Sequence, residues 1–383
     1  MKSLFCAYSH SQQSTFQQRN LVMIKDIHIQ NYRGIKDLKI KDFKRINLLV
    51  GDNNSGKTSV LEATTILYPN LVTFFRIVAM RELGYMQINK DKNSVDFMIN
   101  LPSLDKQFYN GNYTEPFKIE SIFAKSGAKK SEKKLSLEVC LSKDYEKFDQ
   151  VINTQDQRIS EINSFIAKYS LGKDSQKLGL STNGTGKTIG ESFGVKHIFI
   201  SDTTPKGQQI VKQFVPIARA SRESEYVKIL KIFEPELCNI KQAGDDLIFE
   251  KNDKSTVSFS YMGTGFVRFL SILLTIENLK DEAAIISIDE IGNGLHPSKQ
   301  EIFWEVMFEF LKKNKNLQIF ATTHSDESVA ALSKVFERRG KKDLGEDEIR
   351  LFKIIKNAKE EIKVFDYNSE MLKYLEKEEI EVL

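Results

Sequence analysis

Apolar positions begin to repeat at Met23. From Ile24 to Ile29 apolar and polar side chains alternate, which predicts a half-buried strand, and Leu38-Lys39-Ile40 reads as its hairpin partner. Ile46 to Val50 is more continuously apolar, as in a strand buried on both faces, and it stops at Gly51. A helical run, Ser59 to Leu67, follows. In the middle of the chain, residues 143–170 carry Ile159, Ile162, Phe165, Ile166 and Tyr169 on one helical stripe, which predicts core or a short helical hairpin. Four sustained heptads are absent, so no long coiled-coil arm is expected. Residues 171–192 are rich in Gly, Ser and Thr and read as a loop. Val195 to Ile200 reads as a strand and 222–233 as a helix, and 247–250 with 256–261 suggests a hairpin across Asn252-Asp253. Phe266–Leu279 (helix), Ala283–Ile288 (strand), Pro297–Lys312 (helix) and Leu317–Thr322 (strand) then alternate, which argues for a parallel α/β sheet. Ile349–Ile355 and Glu361–Phe365 predict a late strand pair, and a short helix around Glu370–Leu375 closes the chain.

Composition narrows the class. With 383 residues, 28% charged and 40% hydrophobic, the chain suits two or three domains, or one core with a large insertion. Bulk disorder, collagen-like repeats and a disulfide scaffold are excluded. Cys6, Cys140 and Cys238 lie far apart with no C-x-x-C pair, so a reducing cytoplasm is the expected compartment. No apolar run approaches a membrane span. The net charge of +4 does not by itself point to nucleic acid. Residues 125–134 hold five lysines; a solvated loop is the favoured reading, a phosphate-backbone contact the alternative. Residues 1–22 are Ser/Gln-rich and aperiodic, either a loose extension or an over-called start ahead of Met23.

The chemistry concentrates at a few strand ends. Gly51-Asp52-Asn53-Asn54-Ser55-Gly56-Lys57-Thr58 matches G-x-x-x-x-G-K-[ST], between a buried strand and a helix as the motif requires. Its glycines let backbone N–H groups close on phosphate oxygens, and the helix N-terminus adds partial positive charge. Lys57 would neutralise β- and γ-phosphates and Thr58 would hold Mg²⁺. A weaker candidate, Asn183 to Thr188, has Ser181 at the first glycine position and reads as a flexible loop. The strand ending in Asp289-Glu290 places two carboxylates beside a phosphate loop in this architecture; Asp289 would hold Mg²⁺ through water, and Glu290 would orient and deprotonate the attacking water. Ala321-Thr322-Thr323-His324-Ser325 is another strand end, whose His324 can sense a γ-phosphate. Gly263 and Gly265 precede a helix start and form a second anion-binding surface, which suits a nucleotide held by another subunit; an ordinary Gly-rich helix start is the alternative.

In this order, the phosphate loop, the Gly-x-Gly-x-x-Arg-x-Leu-Ser stretch, IDEIGNGLHPS and ATTHSDE resemble the ABC-type ATPases of the SMC/RecF/OLD group. The nearest likeness is to small OLD-class AAA-like ATPases of prokaryotic phage-defence systems. It covers about residues 23–69 and 222–383; the ending Leu372-Lys373-Tyr374-Leu375 and Ile380-Glu381-Val382 also looks like that class. The resemblance implies an α/β P-loop ATPase head with a mixed or parallel central sheet and an α+β or helical insertion. The implied lobes are 23–70 and 222–383, around an insertion at 71–221. Asn31-Tyr32-Arg33-Gly34 looks like the family's strand end whose arginine reaches the phosphates. Gly263 and Gly265 look like the signature loop, Asn293 to His296 like the D-loop, and His324 like the switch histidine. Nucleotide contacts are thus expected from Arg33, Asn53, Asn54, Ser55, Gly56, Lys57, Thr58, Ser59, Gly263, Gly265 and Asn293. Catalysis is expected from Lys57, Glu290 and His324, and Mg²⁺ binding from Thr58 and Asp289. Gly292 stands where relatives often carry an acid, and Gln87 is a weak candidate for the Q-loop.

The resemblance implies an Mg²⁺-dependent ATPase, working as a head-to-tail homodimer or higher homo-oligomer. The 59 residues after His324 contain no D-x-D and leave no room for a TOPRIM nuclease, so an effector nuclease or toxin is expected on a separate chain. The chain would then sense a phage component or DNA in a two-component defence system. A DNA-binding repair ATPase of the RecF/SMC kind is the alternative. A scaffold using ATP only as a structural ligand fits less well, since every catalytic position is filled, and a transporter subunit less still.

Overall fold

A computed structural model describes residues 23–68, 77, 95–96, 107–111, 115–124, 132–142, 164–172, 174–181, 185–188, 195–202, 207–279 and 282–377. Its centre is a six-stranded sheet in the order Lys196–Ile200, Ala284–Ile288, Leu317–Thr322, Ile46–Val50, Ile349–Lys356, Ile362–Tyr367. The first five strands are parallel and the last is antiparallel. The continuous apolar character of Ile46–Val50, Ala284–Ile288 and Leu317–Thr322 follows from their position. Ile46, Leu48, Ile286 and Ile319 enter the core on one face, while Leu49, Ile285 and Phe320 enter the core on the other. Both faces are dry, so neither register needs a polar residue.

The phosphate-loop helix, Lys57–Ile66, is roofed by a second, antiparallel sheet. Among the described residues this sheet runs Ile35–Lys41, Asp26–Tyr32, Phe117–Ala124, Lys133–Ser142, Ser164–Leu171, Asp174–Ser181, Thr185–Thr188, Val95–Asp96, with Met23–Ile24 paired to Phe117–Ala124. Val60, Leu61, Ala63 and Ile66 pack into one core with Ile119, Leu137 and Tyr169 of that roof, and the Tyr169 hydroxyl donates to the Ile66 carbonyl at 3.1 Å. Gln318 ties the sheets together. Its amide accepts from the Ile24 N–H at 2.8 Å and donates to the Ile24 carbonyl at 2.9 Å. A small sheet of Leu237–Ala243, Asp246–Lys251 and Thr256–Ser258 leads into the helix Thr264–Glu277. Among the described residues no helix is long and apolar enough to cross a membrane.

Three expectations are corrected here. Ser164–Leu171 is a strand, not the end of a helix; residues 143–163 lie outside the described residues. Buried Ala167 and Tyr169 flank exposed Lys168, a period of two that the helical stripe through Phe165, Ile166 and Tyr169 concealed. Asp174–Ser181 and Thr185–Thr188 are strands as well, so the 171–192 loop and its glycine-rich second motif are largely sheet. Ladder hydrogen bonds to neighbours, not local propensity, decide that segment. The 256–261 half of the expected hairpin is a strand only to Ser258; Phe259–Tyr261 is a 3₁₀ turn. The helix Gly207–Arg219 was not read from sequence, and Pro216 inside it masks an apolar face of Ile210, Val211, Phe214 and Ile217. Of the lysine-rich stretch, residues 125–131 lie outside the described residues, and Lys134 sits on a strand paired with Glu120 at 2.8 Å.

Beneath the phosphate-loop helix, His197 is buried with its Nε2 3.0 Å from the Ser287 hydroxyl, which in turn meets Thr64 and Thr65 at 3.3 and 3.1 Å. Burial holds the imidazole neutral and pushes its pKa down to about 3. The folded value lies below the unfolded one, so this group's contribution is complete above pH ~6.5 and is lost as pH falls toward 3. His197→Gln is therefore expected to flatten acid destabilisation, by at most ~1.4 kcal/mol per pH unit below 6.5. Urea midpoints of both proteins between pH 7.5 and 4.5 check this; parallel curves would contradict it.

Candidate nucleotide-binding site

Because the central strands are parallel and adjacent, their C-terminal ends open at one pole. Ile46–Val50 delivers Gly51, Ala284–Ile288 delivers Asp289 and Glu290, and Leu317–Thr322 delivers Thr323 and His324. Gly51 has φ 134°, and a Cβ there would stand 2.2 Å from the Ile354 carbonyl oxygen, so only glycine lets the loop leave the strand. Asn54 (φ 65°) and Gly56 (φ 107°) turn the loop, and Gly56 caps the helix with no side-chain hydrogen bond. The first helical N–H groups thus lack a side-chain partner and face the loop.

Lys57 is 5% exposed and folds back onto its own loop, its Nζ donating to the Gly51 and Asp52 carbonyls at 2.7 and 2.8 Å. Burial lowers its pKa, and the negative charges of Glu290 and Asp289 oppose that shift. The Ser55 hydroxyl is buried with no hydrogen-bond partner. A cradle of free amides, an unpartnered hydroxyl and a lysine held only by loop carbonyls fits a polyphosphate. Asn53 is exposed and Ser59 half-buried at the rim and first turn of this cradle.

Asp289 accepts from Thr322 at 2.7 Å and from Thr58 at 3.2 Å through the same carboxylate oxygen, Oδ1. Burial raises its pKa, with further upward pressure from Glu290 and Asp202, so the site favours a cation here. Among the described residues no three His, Cys, Asp or Glu side chains form a metal cluster. Mg²⁺ keeps waters and phosphates among its ligands and takes only one or two protein groups. Thr58 and Asp289 fit such a role.

Glu290 sits in the left-handed region at φ 53°, and its N–H donates to the Thr322 hydroxyl at 2.7 Å. Its carboxylate meets His324 Nδ1 at 2.7 Å, and the histidine side chain is 61% exposed. Strained backbone at a charged residue is retained where function requires the geometry. Thr322, to which the sequence motifs assign no role, joins Asp289 to Glu290; a hydroxyl at the last strand position, just before Thr323-His324, is the signal that points to it.

Arg33 lies at φ 49° and is engaged by Glu62 of the phosphate-loop helix at 2.9 Å. The structure therefore ties it to that helix. Gly265 packs within the chain against the turn that carries Asn293: a Cβ on Gly265 would lie 2.1 Å from the Gly294 carbonyl oxygen, and the Asn293 N–H donates to the Glu290 carbonyl at 3.0 Å. Gly263 has no atom within 4 Å of its Cβ position, and neighbouring Tyr261 is 84% exposed, so this turn faces outward. A Cβ on Gly292 would stand 2.1 Å from the Ser328 hydroxyl and 3.1 Å from the Gln300 amide, so a side chain there would have to displace both. Gln87 lies outside the described residues. Arg268, also unassigned from sequence, is buried and donates to the carbonyls of Ser201 (2.9 Å) and Asp289, tying the helix that begins at Thr264 to the carboxylate strand. Gly265→Ala is expected to push the Gly294 turn away and cut turnover at least tenfold while ATP still binds the phosphate loop. ATP titration and phosphate release, measured on the same preparation, check this; full turnover would contradict it.

The family model of the AAA ATPase domain matches residues 23–181 and 197–329. The chain is 25% identical over 349 residues to an ATP/GTP phosphatase of Helicobacter pylori, covering 83% of this chain and 89% of that protein. Over 48 residues it is 38% identical to the DNA replication and repair protein RecF of Rickettsia conorii, 12% of this chain and 13% of that one. Among solved structures it is similar to the SMC head domain from Thermotoga maritima, at a TM-score of 0.45 and 11% identity, covering 90% of this chain and 98% of that one.

Proposed function

We propose, for a chain that belongs to the AAA ATPase domain family and is an ATP phosphohydrolase, that Lys57, Asp289, Glu290 and His324 act on one triphosphate. Support comes from one observation: three neighbouring parallel strands end together, and their terminal residues are joined by the Thr58–Asp289–Thr322–Glu290–His324 hydrogen-bond path. Glu290 takes a proton from water as the water oxygen bonds to the γ-phosphorus; the bond to the β–γ bridging oxygen breaks and ADP leaves. Lys57 swings from its loop carbonyls to the phosphate oxygens, and His324 holds Glu290 in place. Mg²⁺ at Thr58 and Asp289 would supply positive charge against the β- and γ-oxygens. ATP turnover should vanish with EDTA and in Asp289→Asn; an undiminished rate in excess EDTA would overturn this.

The outward Gly263 turn supports a head-to-tail homodimer, in which each copy's turn closes the other's nucleotide, in the manner of SMC/RecF-type ATPases. We further infer that the ATPase is the sensor of an OLD-class two-component defence system and controls a separate nuclease or toxin. The RecF match fits a repair ATPase equally. Loss of protection against phage in cells that carry Lys57→Ala in place of the parent chain supports the sensor. ATPase stimulation by duplex DNA, without any such phenotype, supports the repair role.

A further inference from the structure

The pole opposite the phosphate loop carries an unassigned groove of about 480 Å³. It lies where Ile46–Val50, Leu317–Thr322 and Ile349–Lys356 begin, beside the turn after the helix Asp326–Val335. The five residues of Ile46–Val50, at ~3.3 Å each, set it roughly 16 Å from the phosphate loop. Seven lining residues are basic and three acidic. Two of the acids are already engaged within the chain. Asp343 meets Lys312 at 2.8 Å and Arg339 at 2.7 Å, and Asp347 meets Lys44 at 2.6 Å. Lys25, Lys315 and Lys342 form no ion pair among the described residues.

Two features argue against a merely solvated lysine surface. Arg45 is 5% exposed, its guanidinium donating to the Leu311 and Asn314 carbonyls at 2.6 and 3.0 Å, with Nε unpartnered. A buried, fixed cation at the wall of a concave surface adds positive field to it, offset in part by the Glu348 carboxylate of the same lining, which faces Arg45, Lys25 and Lys44. Lys341 and Lys342 follow directly on a π-helical turn, Phe336–Gly340, a geometry that is rare and often tied to function. That turn needs Gly340, because a Cβ there would lie 2.4 Å from the Phe336 ring. Among the described residues none that lines the groove is aromatic, so they offer no stacking platform for a base. What it offers is charge for oxyanions in series.

We propose that this groove binds a chain of phosphates, carried by free polyphosphate or by a nucleic-acid backbone read without regard to sequence. The inference stands whichever biological role the ATPase serves. The test uses the full chain carrying Lys57→Met, which silences the phosphate loop, with and without Lys315→Glu/Lys342→Glu; both of these lysines are exposed. Tripolyphosphate binding is followed by calorimetry, and binding of a labelled duplex of about 30 base pairs by anisotropy at about 50 and 200 mM salt. The double reversal should weaken whichever probe binds at least tenfold and, for duplex, lower the salt slope by about two. Lys315→Arg/Lys342→Arg should restore binding. With Lys57 intact, the reversal should leave basal ATPase and Tm unchanged. Tripolyphosphate binding that duplex does not displace assigns a free oligophosphate; displacement by duplex assigns nucleic acid. Failure of both probes to bind, or equal affinity after reversal, overturns the proposal.

Discussion

Glu290→Gln should bind ATP as tightly as the parent chain and hydrolyse it ~10²–10⁴-fold more slowly, the range for loss of a positioned general base. The substitution keeps the shape, the left-handed backbone and a hydrogen-bonding partner for His324, 2.7 Å away. It removes only the group that accepts the proton. It also removes a negative charge that now raises the Asp289 pKa, so that carboxylate becomes easier to ionise. Binding and turnover therefore separate, and nucleotide should accumulate in the site. Single-turnover phosphate release against filter-bound ATP measures both. Normal turnover would remove Glu290 from the chemistry, and loss of binding would make it a structural residue.

Lys57→Met should abolish nucleotide binding at little cost to the unliganded fold. Two effects oppose each other in the empty protein. The lysine ammonium hydrogen-bonds the Gly51 and Asp52 carbonyls, and losing such bonds costs about 1 kcal/mol each. Yet the same ammonium is desolvated, as its lowered pKa records, and methionine does not carry that penalty. The two nearly cancel, so the apo Tm should move little. The liganded state differs sharply. Ligand at about one hundred times its dissociation constant stabilises by ~2.7 kcal/mol, and that shift should disappear. Thermal unfolding with and without Mg-ATP checks it; an unaltered ligand shift would contradict the assignment.

The legible parts of this molecule share a cause. Ile46–Val50 and Leu317–Thr322 could be bounded to the residue because burial on both faces leaves an apolar run, which breaks off at Gly51 in one and at Thr323-His324 in the other. The carboxylates and His324 were legible for the same reason. Of the roofing sheet, only the first hairpin, Asp26–Tyr32 with Ile35–Lys41, was legible. The later strands are covered on one face, so Ser164–Leu171 carries a mixed pattern that fits either period. Thr322 and Arg268 were hidden differently: their roles lie in contacts with residues 33 and 21 positions away, which no local spacing reports. Gly265 and Gly263 look alike in sequence, and only packing distinguishes the one wedged against Gly294 from the one left open.

The central claim is that each nucleotide is shared by two copies, held on the Lys57 loop of one and closed by the Gly263 turn of the other. Mixing two inactive variants tests it directly. Lys57→Met keeps an intact turn but no phosphate site, and Gly263→Glu keeps the phosphate site but presents a blocked turn. Mixed dimers hold one complete composite site, so ATPase activity should reappear on mixing, toward about a quarter of the parent rate if the copies pair at random. A mixture as inactive as its components, from variants that each remain folded, would contradict the shared site.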